Sequence, residues 1–83
     1  MASAEEDLIL AVDLALAGKW DEAHEIAQRH EGAAAADWLH AVLHKIEGDG
    51  ANARYWYGRT VHTFEAFPDP KDELIALRAS LAH

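Results

Sequence analysis

The chain has 83 residues, enough for one small domain spanning 1–83, and it contains no cysteine, which excludes disulfides, cysteine-bound zinc and thiol nucleophiles. Its formal net charge is −8, and residues 1–50 hold 11 acidic against 3 basic side chains, so we expect no nucleic-acid partner. We recognise neither a membrane-spanning apolar run nor a secretory leader, and we therefore expect a cytoplasmic protein with no membrane partner.

The apolar residues of the first half recur at helical spacing in three segments. A capping box of Ser3 and Glu6 begins the first segment, and Gly18 ends it because glycine accepts the left-handed backbone that follows many helices. The core stripe of the third segment comprises Trp38, Leu39, Val42, Leu43 and Ile46. The predicted helices are 4–17, 20–30 and 34–47.

Two further helices are predicted after the glycine-rich turn at 48–50. Asn52 is the expected N-cap of the fourth helix, and its apolar stripe continues at helical spacing as far as Phe64. A break follows, after which Asp69 caps the fifth helix and Pro70 occupies its first position, and this helix runs to the C-terminus. The stripe of the fourth helix comprises Ala53, Trp56, Tyr57, Thr60, Val61 and Phe64. No segment alternates as a strand would, so the predicted fold class is all-α with five helices.

The two halves of the chain match each other after a shift of thirty residues. Gly18 falls on Gly48 and Ala23 falls on Ala53, so each copy reads as a helix, a glycine turn and an alanine five residues later. The glycine lets the chain reverse, and the small alanine lets the second helix approach the first closely. We therefore expect two related helical hairpins, with the fifth helix as a C-terminal cap.

Residues 17–23, AGKWDEA, resemble the turn between the two helices of a tetratricopeptide repeat. Residues 53–57, ARYWY, are similar to the Ala-x-x-Trp-Tyr signature of Sel-type repeats, and 38–59 resembles a group of small uncharacterised bacterial proteins. The resemblance implies a protein-binding or peptide-binding module without intrinsic chemistry. The acidic first half then favours a basic partner, and an uncovered apolar end favours a homo-oligomer. An open groove, a closed bundle and a dimer that extends the stack are all compatible with two hairpins.

Six histidines stand out in a chain of this length, and His40 and His44 lie four residues apart on one side of the third helix. They point away from its core stripe. The simplest interpretation is that they lie on a solvated face or make a hydrogen bond between helices. Alternatively, two imidazoles at this spacing bind one zinc, nickel, copper or iron ion together with a ligand from another helix. The candidates for that ligand are Asp13, His24, Glu47 and His62. A divalent transition metal, structural or catalytic, is therefore the alternative to an interaction module without a cofactor.

A basic and aromatic surface is predicted on the fourth helix, where Tyr55, Arg59 and His62 lie together. It suits a carboxylate, a phosphate-bearing small molecule or an acidic peptide. The simpler interpretation is that these residues pair with the acidic first half of the chain. With His40 and His44, these residues make up the expected binding surface.

Asp13 is a charged residue inside an otherwise apolar predicted helix, where an unpaired charge is costly. We expect it to pair with Arg54, Arg59 or a tryptophan N–H. Its alternative role is that of a metal ligand or general base.

Overall fold

The structure is a computed structural model, and it describes residues 3–82. Its helices are α1 (Ala4–Leu16), α2 (Trp20–Arg29), α3 (Ala34–Glu47), α4 (Gly50–Tyr57) and α5 (Pro70–Leu81). Residues 3–82 form no strand, so the predicted all-α class with five helices is confirmed. Among these helices, none combines the length and the hydropathy that a bilayer span requires. His83, the predicted end of the fifth helix, lies outside the described residues.

Short polar side chains cap the first, fourth and fifth helices. Ser3 accepts a hydrogen bond from the backbone N–H of Glu6 (3.1 Å), and Asp69 accepts one from the N–H two residues later (2.9 Å), as the sequence predicts. The predicted cap of α4 is wrong. Asp49 is the cap, because its carboxylate accepts a hydrogen bond from the N–H of Asn52 (3.1 Å), which places Asn52 inside the helix.

The C-terminal end of α4 also differs from the prediction. The helix ends at Tyr57 instead of continuing to Phe64, and Val61, expected on the core stripe, is 96% exposed. Thr60 accounts for the early end. Its hydroxyl donates to the carbonyl of Tyr57 (2.9 Å) and accepts from the N–H of His62 (3.0 Å), so local side-chain hydrogen bonds replace the next helical turn.

The helices pack as two hairpins, α1 with α2 and α3 with α4, joined where α2 packs on α3. Gly18 and Gly48 both adopt left-handed backbone (φ 81° and 86°), and Ala23 and Ala53 are both fully buried against the preceding helix. The last helix, α5, packs against both α1 and α3, the first helices of the two hairpins. The described chain is therefore a closed bundle.

A buried ion pair attaches α5 to α3. The fully buried Glu73 accepts hydrogen bonds from Lys45 Nζ (2.9 Å), Trp38 Nε1 (2.8 Å) and the Tyr57 hydroxyl (2.7 Å). Lys45 also donates to two backbone carbonyls of the segment between α4 and α5 (2.7 and 2.6 Å), which uses its three ammonium protons. Burial and the hydrogen bond to Glu73 raise the pKa of the Tyr57 hydroxyl well above its usual range.

Candidate metal centre

Three imidazoles meet between α2 and α3. His24 of α2 lies beside His40 and His44 of α3, and one ring nitrogen of each lies within 4.8 Å of the others. The Nε2 atoms of His24 and His40 are 3.0 Å apart. His40 and His44 are only 4% and 6% exposed, so they do not lie on a solvated face. The other expected arrangement, a hydrogen bond between helices, is the one that His40 makes with His24. All residues of α3 from Ala36 to His44 are buried, because neighbouring helices pack around several sides of it.

Two tryptophan rings stack on histidines of this cluster. Trp20 stacks on His24 (ring centroids 4.6 Å apart, 19° between planes), and Trp56 of α4 stacks on His40 (3.9 Å, 14°). Trp20 is anchored by its own indole N–H, which donates to the carbonyl of Leu43 (2.6 Å). The imidazoles are therefore oriented by stacked rings and lie in a largely apolar environment.

Hydrogen bonds determine which ring nitrogens can accept an ion. Glu47 accepts a hydrogen bond from His44 Nδ1 (2.5 Å), which places the proton of the neutral ring on Nδ1 and the lone pair on Nε2. The facing Nε2 atoms of His24 and His40 share a single hydrogen bond, in which one donates its N–H and the other accepts. An ion bound by both Nε2 atoms would replace this hydrogen bond and move the proton of the donor ring to its Nδ1. His40 Nδ1 is buried and has no hydrogen-bond partner among the described residues.

Burial keeps two of the three rings neutral. It lowers the pKa of His40 to about 4, and the adjacent His24 and His44 act in the same direction. Burial also lowers the pKa of His24, with the His44 ring as the second cause. Neutral imidazole is the form that binds metal ions, so these two rings are in the metal-binding state at neutral pH.

One distance in the cluster suits a transition-metal ion, and the other ligand nitrogens lie within 4.8 Å of one another. Zinc–nitrogen bonds of 2.0–2.1 Å in tetrahedral geometry separate two ligand nitrogens by about 3.3 Å. The 3.0 Å between the His24 and His40 nitrogens therefore needs to lengthen by only a few tenths of an ångström. The bond from His44 to Glu47 supplies the carboxylate that commonly orients a metal-binding histidine.

Comparisons of the chain with protein-family models, curated proteins and solved structures found no match. The tetratricopeptide and Sel-type resemblance therefore stays a prediction.

Asp13, a predicted ligand, lies apart from the histidine cluster. It is exposed and forms an ion pair with Arg78 of α5 (2.7 Å), and the hydrogen bond from Arg78 lowers the pKa of the Asp13 carboxyl. The expected pairing of Asp13 is present, but its partner is Arg78 and not Arg54, Arg59 or a tryptophan N–H. Arg54 pairs with Glu65 (2.7 Å), and Arg59 lies beside Asp37.

The predicted binding surface is divided by the fold. Tyr55 is 59% exposed, while His40 and His44 are buried in the cluster. His62 stacks on Trp38 (3.6 Å, 13°) and takes no part in the cluster. The guanidinium of Arg59 lies 4.9 Å from the centre of the Trp56 ring, which also contacts His40.

A second group of metal-binding side chains, His44, Glu47 and Asp49, lies at the end of α3. Both carboxylates already have structural roles, since Glu47 orients His44 and Asp49 caps α4. The three-histidine cluster is therefore the better candidate.

Proposed function

We propose that the protein binds a divalent transition-metal ion through His24, His40 and His44. The observation that supports this most is the convergence of three imidazoles from two helices in a buried setting. At the positions that correspond to His40 and His44, the first hairpin carries Leu10 and Leu14. The hairpin can therefore be built without imidazoles at these positions.

The cluster carries a cost in folding free energy, which an ion bound at the Nε2 atoms would offset without giving His40 Nδ1 a partner. A buried polar atom without a partner, such as His40 Nδ1, costs about 1–3 kcal/mol of folding free energy. Leucine at the same place would avoid this cost. An ion bound to the folded chain would stabilise it, because it binds the native state in preference to the unfolded one.

Three neutral nitrogen ligands favour zinc, copper, nickel or ferrous iron over magnesium and calcium, and a tetrahedral arrangement favours zinc. Three protein ligands leave one position for water or another small molecule. His24 is half-buried, which gives this position access to solvent. We therefore propose an exchangeable zinc site, with Glu47 orienting His44 from behind.

Zinc titration by calorimetry, on protein purified without an affinity tag, tests this proposal. We expect one Zn²⁺ per chain and a rise in melting temperature. His40→Leu and His44→Leu introduce the residue that the first hairpin carries at the corresponding positions. Each should abolish zinc binding while the chain stays folded. Glu47→Gln should weaken binding by about tenfold or more.

His30→Gln is the matched control, because His30 pairs with Asp7 outside the cluster (3.0 Å). It should bind zinc like the original chain. A chain that binds no zinc, or leucine variants that bind it unchanged, would show that the cluster is not a metal site.

We propose, as a second function, association through an apolar end of the bundle. Leu16 and Ile46 occupy corresponding positions in the two hairpins and are 36% and 42% exposed. They line a shallow cleft of about 270 Å³ whose other lining residues are Ala15, Asp69, Pro70, Lys71 and Leu74. This end patch, formed by the seven lining residues, would bind a second copy of the chain, and a basic peptide is the other candidate.

Sedimentation velocity tests the second function. We expect a concentration-dependent dimer that Leu16→Lys dissociates, because the new charge would have to be buried at the contact. A sedimentation coefficient that stays monomeric up to millimolar concentration would rule out self-association. Lys19→Ala, another exposed position near the end of α1, is the control.

A further inference from the structure

A separate cleft lies between the start of α3, the segment 58–62 and the last turn of α5. It has a volume of about 640 Å³, within the range of small-molecule sites. Ala34, Ala35 and Trp38 form much of its apolar lining, and Arg59 lies at its edge. None of its lining residues is acidic, although the chain has a net charge of −8. It is here termed the Arg59 cleft.

The guanidinium of Arg59 has unused hydrogen-bonding capacity. The carboxylate oxygen of Asp37 lies 3.9 Å from its Nε, which is too long for a hydrogen bond. Asp37 is instead engaged by the backbone N–H of Gly32 (3.0 Å). The guanidinium of Arg59 also lies over the face of Trp56. A ligand carboxylate could therefore meet the planar fork of N–H donors directly.

His62 is the second nitrogen group of the cleft that is free to bind a ligand. Its ring stacks on Trp38, and its hydrogen bonds to described residues involve only its backbone. The two hydroxyls of the cleft are already engaged, since Thr60 donates to the carbonyl of Tyr57 and Ser80 donates to that of Leu77. The polar recognition available to a ligand is thus concentrated at Arg59 and His62.

We propose that the Arg59 cleft binds a small apolar monocarboxylate. Its carboxylate would pair with Arg59 in the two-bond geometry that guanidinium and carboxylate share, with His62 beside it. Its hydrocarbon or aromatic part would pack on the apolar lining next to Trp38. A polyphosphate fits less well, because the cleft presents a single arginine and the acidic chain repels multiply charged anions.

Titration with 3-phenylpropionate, its uncharged amide and inorganic phosphate, followed by amide NMR, tests the proposal. We expect 3-phenylpropionate to shift the resonances of 34–38 and 58–62 and to bind about tenfold more tightly than the amide. Arg59→Leu should remove this preference, and Arg59→Lys, which keeps the charge but loses the fork, should fall between the two.

Arg29→Leu is the matched control, because Arg29 is an exposed arginine on α2 that pairs with Glu25. It should bind 3-phenylpropionate like the original chain. His44→Leu should also retain binding, which separates this cleft from the zinc site. Equal binding of the acid and the amide, tighter binding of phosphate, or shifts confined to other segments would each overturn the proposal.

Discussion

The ion pair between Lys45 and Glu73 makes the strongest prediction about stability. Both side chains are buried, with 7% and 0% exposure, and every hydrogen-bonding position of the ammonium is used. Lys45→Met would leave the Glu73 carboxylate buried without its counter-charge. Removing one partner of a buried pair costs about 3–5 kcal/mol. For a chain of this size the whole free energy of unfolding is roughly 4–12 kcal/mol.

We therefore expect Lys45→Met to lower the melting temperature by at least about 12 °C, given about 4–8 °C per kcal/mol in a small domain. The double variant Lys45→Met/Glu73→Gln should recover part of the loss. The amide oxygen at position 73 can still accept hydrogen bonds from Trp38 and Tyr57, and the unpaired negative charge is gone. The double variant should therefore be about 2 kcal/mol more stable than the sum of the single effects predicts.

Urea denaturation followed by circular dichroism measures all four members of this cycle. Lys19→Met removes an exposed lysine outside the buried pair and should leave the midpoint unchanged. Additive single effects, or a loss below about 1 kcal/mol for Lys45→Met, would refute the reasoning, since either result means that the buried charges are not coupled.

Three further predictions concern pH, a surface ion pair and a turn. The pKa of His40 is about 4 in the folded chain and about 6.5 when unfolded, so the unfolded state binds the proton first as the pH falls. The free energy of unfolding of the metal-free protein should therefore decrease by up to about 3 kcal/mol from pH 6.5 to pH 4. The urea midpoint should therefore change less with pH over this range in His40→Leu than in the original chain. Equal changes in the two proteins would contradict the assignment of this pH dependence to His40. Asp13→Asn should break the exposed pair with Arg78 yet leave zinc stoichiometry unchanged by calorimetry, and a lost equivalent of zinc would make Asp13 a ligand. Gly48→Ala should lower the free energy of unfolding by about 1–2 kcal/mol, because its φ of 86° is unfavourable for a residue with a Cβ. Gly50→Ala, in open space at the start of α4, should not lower it, and thermal melts of the two variants test the difference.

Capping residues and apolar periodicity were sufficient to predict most of the helices. Ser3, Asp69 and the glycine turns are local signals, and α1, α2, α3 and α5 begin or end within a residue or two of the prediction. The end of α4 was missed because Thr60 offers the backbone hydrogen bonds that compete with a further turn. Periodicity alone does not detect such competition.

The candidate site was only partly predictable, because it depends on how the other helices pack around α3. Helical spacing identified His40 and His44 as a pair, and His24 was one of several possible ligands. Their burial could not be predicted, because a single apolar stripe assigns one inward face to a helix that other helices in fact enclose. Lys45 and Glu73 were missed altogether. They lie 28 residues apart in sequence, and each looks like an ordinary surface charge until the fold brings them together.

The enclosure of α3 limits how its sequence can change. One helix of 14 residues supplies two of the three clustered imidazoles and also the lysine and tryptophan that attach α5. It therefore has little surface on which a substitution would be neutral. In a saturation-mutagenesis library selected for folded protein, we expect positions 36–45 to accept the fewest residue types, and the exposed side of α1 around Leu10 to accept many more.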